Sequence, residues 1–281
     1  MTLGDLNKQL IEILSTCPFV ESPVTEVRLI LSKLLKKTPS SFLGLSPQAE
    51  IDREVKDAAF QFVNERKNGR SVASILGFRD FYDLQFEVDD NVLIPRPETE
   101  FLVEYVLNLN IDKEIRVLDV GAGSGTICVT VAKHRPKWNV EALEVSEKAI
   151  NILKRNVDSN NVNVNIIEKD FFDFEPAHSY DLILSNPPYI PTEDVMQLLT
   201  RHDADDPILA LDGGSDGLIF YRELKEFAEK FLNTGGLLIM EHGFDQKKSM
   251  HEIFDSALLC VVQTLQDYAG LDRVIIVKKI G

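Results

Sequence analysis

The sequence predicts an α/β chain: a parallel sheet with helices on both faces, preceded by a small helical domain and a β-hairpin. Three observations predict it. From residue 101 on, short apolar runs alternate with stretches of helical periodicity, the signature of parallel strands joined by helical crossovers. Residues 3–75 carry helical periodicity alone. Between them, residues 76–95 change to a mostly two-residue alternation of apolar side chains. With 281 residues and 44% hydrophobic content, the chain can bury one large core or two modest ones. The boundaries are read as 1–75, 76–100 and 101–281.

In the first segment Leu6, Leu10, Ile13 and Leu14 share a helical face, and Val27, Ile30, Leu31 and Leu34 share another. Breaks are expected at Cys17-Pro18, Ser22-Pro23 and residues 37–41. A third helix is expected over about 46–68, with Ser46 as its cap and Pro47 in its first turn. In the hairpin segment Phe81, Leu84, Phe86, Val88, Val92 and Ile94 alternate, with Asp89-Asp90-Asn91 between them. Residues 93–100 hold two prolines that force extended or turned backbone, and Glu98 or Thr99 could cap the next helix. Composition alone makes this a stiff linker. Strands are then expected near 115–120, 139–144, 163–168, 180–185 and 235–241, with helices near 101–109, 125–134, 146–159, 218–232 and 245–256. Two final strands, 257–265 and 273–280, are joined by a short link and should be antiparallel neighbours.

The net charge of −15 disfavours non-specific attraction to nucleic-acid phosphates. Acidic side chains also outnumber basic ones in residues 1–90, so the helical segment is not a basic arm. It is either a packing extension or a partner-recognition domain, and recognition is the favoured reading. Cys17, Cys128 and Cys260 are scattered, without metal-ligand spacing or a disulfide framework; Cys128 reads as a small buried hydrophobe. The five histidines form no metal motif, and no metal is expected. The first residues do not read as a secretory or transit segment, and no apolar run approaches membrane-spanning length. A cytoplasmic setting is expected.

The run Asn186-Pro187-Pro188-Tyr189 ends the apolar stretch 180–185. Two prolines cannot continue a central strand, so the chain turns at the carboxyl edge of the sheet, where open α/β sheets bind ligands. The Asn186 amide oxygen and the Pro187 carbonyl are two acceptors suited to a substrate –NH2, and Tyr189 adds a flat face. Upstream, Asp119 precedes the turn Gly121-Ala122-Gly123-Ser124-Gly125. Its glycines allow positive φ and close backbone approach, but their spacing does not fit the dinucleotide fingerprint. The pattern resembles the first motif of S-adenosylmethionine-dependent methyltransferases. Asp119 is either a cofactor contact or a carboxylate that stabilises the turn. Glu144 ends the second strand about 20 residues past the turn, where a carboxylate can accept both ribose hydroxyls. The third strand ends Glu168-Lys169-Asp170-Phe171-Phe172, where an acid and an aromatic could hold adenine. Phe171 is the ring favoured there, although either phenylalanine could be core.

With these pieces placed, the chain resembles the peptide chain release factor glutamine methyltransferases over nearly its whole length. The resemblance rests on 186–190, on 121–125 and above all on Ile94-Pro95-Arg96-Pro97-Glu98-Thr99-Glu100, with 77–82 and 210–218 as further segments. It implies a helical N-terminal domain, a hairpin linker and a Rossmann-like catalytic domain. It also implies S-adenosyl-L-methionine as methyl donor and the Gly-Gly-Gln glutamine of class I peptide chain release factors as acceptor. Three places depart from the family: Glu144 stands where Asp is usual, Phe171 where the aromatic is often Trp, and 201–207 is atypical. The alternatives are an adenine-N6 methyltransferase, since Asn-Pro-Pro-Tyr occurs there too, and a non-catalytic module that binds the cofactor or a translation factor.

Overall fold

A computed structural model describes residues 1–198 and 206–281. The chain divides into two compact units, one built on Met1–Phe78 and the other on Arg79–Met196 and Asp206–Gly281. The first contains helices α1 (Leu3–Leu14), α2 (Pro23–Leu34), α3 (Pro39–Phe42), α4 (Arg53–Lys67) and α5 (Val72–Leu76). Leu6, Leu10 and Leu14 of α1 pack with Val27, Ile30 and Leu31 of α2 and with Ala59 and Val63 of α4. The buried Arg66 guanidinium is paired with Glu26 at 2.8 Å.

Two local expectations are corrected. The third helix starts at Arg53, after Asp52, not at Ser46-Pro47. Residues 47–51 are instead held by the start of the chain: Leu3 N donates to Ala49 O, Gly4 N to Pro47 O, and Ile51 N to Met1 O. That pairing claims backbone groups a helix would need. Thr38-Pro39, expected within a break, opens the short α3, with Thr38 accepting from Ser41 N.

The second unit opens with a hairpin, β1 (Phe78–Phe81) and β2 (Leu84–Glu87). It turns at Tyr82-Asp83, and Tyr82 takes φ 57° while its N–H donates to Glu100 Oε1 at 2.8 Å. The Asp89-Asp90-Asn91 stretch, which alternation had placed between the strands, lies after them. There Asp89 accepts from Asn91 N and makes a separate local turn. The remaining elements are α6 (Thr99–Leu107), β3 (Arg116–Val120), α7 (Thr126–His134), β4 (Asn139–Glu144), α8 (Glu147–Asn160), β5 (Asn165–Glu168), β6 (Tyr180–Ser185), α9 (Thr192–Leu198), α10 (Ile219–Phe231), β7 (Leu232–Glu241), α11 (Lys247–Phe254), β8 (Leu259–Gln266) and β9 (Asp272–Lys279).

Seven strands form one sheet in the order β5-β4-β3-β6-β7-β9-β8. The first five are parallel, and β9 runs antiparallel between β7 and β8. Successive residues of each central strand face opposite ways. Val117, Val140, Leu182 and Ile239 join the core under α6, α7 and α8, whereas Leu118, Leu143, Ile183 and Leu238 join the core under α10 and α11. Both faces are covered, which is why these strands read as nearly continuous apolar runs. No helix among the described residues is long and apolar enough to cross a membrane.

Register fixes the site. Val120 pairs with Leu143 on one side and Ser185 on the other, and Ser185 pairs with Met240. The next residue of each strand therefore emerges at the same edge: Gly121, Glu144, Asn186 and Glu241. The strand order reverses about β3, the switch point at which such sheets hold ligands.

Candidate active site

A cavity of about 390 Å³ opens at this edge, within the roughly 300–1,000 Å³ of small-molecule sites. Its walls include Gly121, Ala122, Gly123 and Ser124 after β3, Glu144 after β4, Phe171 and Phe172 after β5, and Asn186, Pro187 and Pro188 after β6. Asn91, Val92, Leu93, Pro95, Arg96 and Thr99 close it from the proline-rich segment, which is thus part of the site and not only a linker. Pro207, Leu209, Ala210 and Phe220 complete the rim. Of the residues singled out in the sequence, Asp119, Gly125 and Tyr189 lie outside this lining.

The glycine turn is shaped for a ligand. Gly121 and Gly123 take φ of 72° and 55°, and a Cβ built on either would meet no protein atom within 4 Å. Gly121 N and Ala122 N donate to Leu143 O, which ties the turn to β4. The fully buried Asn156 donates to Ser124 O at 2.8 Å and accepts from Glu87 N at 2.7 Å, so α8 and β2 brace the turn from behind. Gly125 serves packing: a Cβ there would sit 2.3 Å from Leu153 Cδ1.

Asp119 faces inward. Its Oδ2 accepts from Cys128 N at 3.0 Å, in the first turn of α7, where Gly125 can offer no side-chain cap. A carboxylate there satisfies an otherwise unpaired helix amide. Burial raises the Asp119 carboxyl to about 7; the Cys128 hydrogen bonds oppose the shift and the Glu144 charge adds to it.

Glu144 bends back over the turn. Its Oε2 accepts from Gly123 N at 2.8 Å, and its Oε1 accepts from Val145 N and Ser146 N, both at 2.9 Å. A carboxylate has about four acceptor positions, so this arrangement leaves one for a ribose hydroxyl where the sequence reading asked for two. Phe171 is buried and packs on Phe227 with ring centroids 5.4 Å apart. Phe172 is 43% exposed and lies 5.2 Å from Phe220. Asp170 accepts from Phe172 N at 3.0 Å, which fixes this aromatic pair at the rim.

At the end of β6, Asn186 Nδ2 donates to Thr99 Oγ1 at 3.1 Å, and Thr99 Oγ1 donates to Glu241 Oε2 at 2.6 Å. The Asn186 donor is thereby engaged and its Oδ1 is left as an acceptor at the cavity. The Tyr189 hydroxyl turns away, toward Glu241 Oε1 at 3.4 Å, and burial, with the Glu241 charge added, pushes its phenol well up. Gln246 Nε2 holds Tyr189 O at 2.9 Å. Ile190 N donates to Leu211 O at 3.0 Å, Gly213 N donates to Ile190 O at 2.9 Å, and a Cβ on Gly213 would sit 2.9 Å from Pro188 O. The 210–218 segment thus braces the proline turn.

Arg96 is paired with Asp206, whose Oδ1 also accepts from Ile94 N at 2.9 Å. The other residues of the atypical 201–207 stretch, apart from Pro207, lie outside the described residues. Sequence reasoning took Thr99 and Glu98 as cap candidates, but neither side chain caps α6. It missed Glu241, although a carboxylate closing a parallel strand was the very signal that singled out Glu144.

The cavity suits S-adenosylmethionine: a turn that accepts ligand bulk where side chains would stand, a strand-end carboxylate with a free acceptor position, and aromatic faces beside an acid. A family model described as the methyltransferase small domain matches residues 97–203, and one described as the PrmC N-terminal domain matches 5–77. A crystal structure of a methyltransferase from Pyrococcus furiosus is similar with a TM-score of 0.51 at 20% identity, covering 70% of this chain and 88% of that one, which shows the fold alone. A release factor glutamine methyltransferase of Neisseria gonorrhoeae is 38% identical over 255 residues, 90% of this chain and 92% of the relative. One from Coxiella burnetii is 31% identical over 281 residues, 99% of each. Identity at that level, sustained through both units and across the site at the sheet edge, means that this chain belongs to the release factor glutamine methyltransferase family.

Proposed function

We propose that the chain transfers a methyl group from S-adenosyl-L-methionine to the side-chain amide nitrogen of the glutamine in the Gly-Gly-Gln motif of class I peptide chain release factors. Family membership supports the reaction, and one observation carries it to these residues: Asn186 has its amide donor engaged and its acceptor left at the cavity. When bound, S-adenosylmethionine supplies an electrophilic methyl carbon whose sulfur departs as a neutral thioether. The protein's task is to hold the nucleophile in line. An amide nitrogen is a weak nucleophile because its lone pair is delocalised into the carbonyl. Asn186 Oδ1 and the Pro187 carbonyl accept its two N–H bonds, favour a pyramidal nitrogen and stabilise the positive charge that develops. As the N–CH3 bond forms, nitrogen sheds one proton to water, so no neighbouring base is needed. For the cofactor, the Gly121–Gly125 turn gives close backbone approach, and Glu144 takes a ribose hydroxyl. Asp119 supports the turn through α7, and Phe171 backs the adenine site whose open face is Phe172.

The unit built on Met1–Phe78 is proposed to recognise the release factor. A glutamine in a protein loop offers little surface for selection, and the second unit already has a complete sheet. Action on a translation factor, together with three free cysteines among the described residues, supports a cytoplasmic setting. Direct binding to nucleic acid is not part of this reading, in keeping with the charge of −15.

The test is transfer of label from tritiated S-adenosylmethionine to a purified release factor, to its Gln→Ala variant and to an adenine-containing oligonucleotide. Label is expected in the first alone; label in the oligonucleotide would overturn the assignment. Asn186→Ala should cost roughly 10²–10³ in turnover while cofactor affinity changes little, because the lost contact matters mainly in the transition state.

A further inference from the structure

Asn186 can serve as an acceptor only while its amide stays one way round. Rotation by 180° would exchange oxygen for nitrogen and present donors to a substrate that also offers donors. Its orientation is set two bonds away. Thr99 Oγ1 has one proton and gives it to Glu241 Oε2 at 2.6 Å, the length of a hydroxyl-to-carboxylate bond. With that proton committed, Thr99 can only accept from Asn186, so Nδ2 must face it and Oδ1 must face the cavity. Thr99 is 3% exposed and Glu241 2%, which leaves water little access to either bond. Glu241 is itself anchored: Tyr221 OH donates to its backbone carbonyl at 2.9 Å, and Tyr189 OH faces its second oxygen.

A buried carboxylate without a directly paired cation is costly. Here it lies at the end of β7, in contact with the segment that closes the cavity. The reaction read above does not use it for proton transfer. We propose that Thr99 and Glu241 are positioning residues for methyl transfer: the carboxylate orders a one-way chain of hydrogen bonds that fixes the Asn186 oxygen toward the substrate amide. This rests on the reading of Asn186 as acceptor for the glutamine –NH2.

The experiment compares steady-state methylation of release factor by wild type, Thr99→Val, Thr99→Ser, Glu241→Met, Asn186→Ala and the Thr99→Val/Asn186→Ala pair. Burial raises the Glu241 carboxyl to about 7, so the buffer is alkaline and Glu241 is ionised. Thr99→Val keeps shape and removes the hydroxyl; Glu241→Met keeps length and removes the acceptor, which keeps the test open should the first variant not fold. Either should lower kcat about tenfold or more, the effect of one misdirected hydrogen bond. KM for release factor and Kd for cofactor should stay within about twofold. Thr99→Ser should restore turnover, because it restores the proton. In the Asn186→Ala background Thr99→Val should cost nothing further, since its effect passes through Asn186. Wild-type kcat in both Thr99→Val and Glu241→Met would overturn the proposal. So would an undiminished loss in the Asn186→Ala background, or a loss in Thr99→Ser equal to that in Thr99→Val. If instead wild type methylates release factor and Asn186→Ala does so equally fast, it is the parent reading of Asn186 that fails.

Discussion

Asp119 is 1% exposed, and its Oδ1 has no hydrogen-bond partner, so its charge is a burden on the fold. Burial raises its carboxyl to about 7, above the ordinary value of an unfolded Asp. The folded state therefore holds the proton more tightly, and stability declines as pH rises from the unfolded value through about 7. Above that point the penalty is complete. Asp119→Asn keeps an oxygen for Cys128 N–H and removes the ionisation. Its melting temperature should gain on wild type at about pH 8, and that advantage should shrink to a minor part at about pH 5. A gain equal at both pH values would detach the effect from the charge. Residues at this scale were legible in the sequence when one position carried its own reason: Glu144 and Asn186 stand at strand ends, beside a turn that needs glycine or follows proline. Thr99 and Glu241 were not legible, because their meaning is a contact across 142 positions that only the β6–β7 register and the fold of the proline segment bring about.

The glycine turn separates two demands on one residue type. Gly123 borders the cavity, and a side chain there meets ligand space and not protein. Gly123→Val should weaken cofactor binding strongly by calorimetry while the fold persists, with a backbone strain of roughly 1–2 kcal/mol. Gly125 has φ 87° and faces Leu153 across the α7–α8 contact. Gly125→Ala should cost more than about 1 kcal/mol in stability and spare cofactor affinity better than Gly123→Val does. Thermal unfolding and calorimetry on the pair check this; the reverse pattern would mean the two glycines have exchanged roles. Elements buried on both faces were the most legible, because continuous apolar runs mark them: β4 and β6 fall on 139–144 and 180–185 as expected. Those shaped by distant backbone were read less well. The start of α4 was displaced by pairing with residues 1–4, and the hairpin turn was drawn to Tyr82 by Glu100. The short α9 lacks enough residues to show a period.

At the scale of the molecule, residues 1–78 and the sheet-bearing unit have separate cores. A chain beginning at residue 76 should still bind S-adenosylmethionine, because the residues that line the cavity all belong to the second unit. It should lose methylation of intact release factor far more than cofactor binding, with turnover falling as well as apparent affinity, because remote binding energy orients the reacting groups. Full activity on intact release factor would mark residues 1–75 as packing only. The order β7-β9-β8 adds a constraint on how the molecule is made. During synthesis β7 and β8 are complete before β9 appears, yet neither pairs with the other; each waits for β9, which begins about thirty residues after Glu241 closes β7 and a short loop after β8 ends. Until β9 pairs, the backbone of β7 from Leu237 to Glu241 presents an unpaired edge to whatever else is nearby. The nascent chain is thus association-prone until β9 pairs, and the speed with which Val274–Val277 slot into place beside β7 decides how long that state lasts.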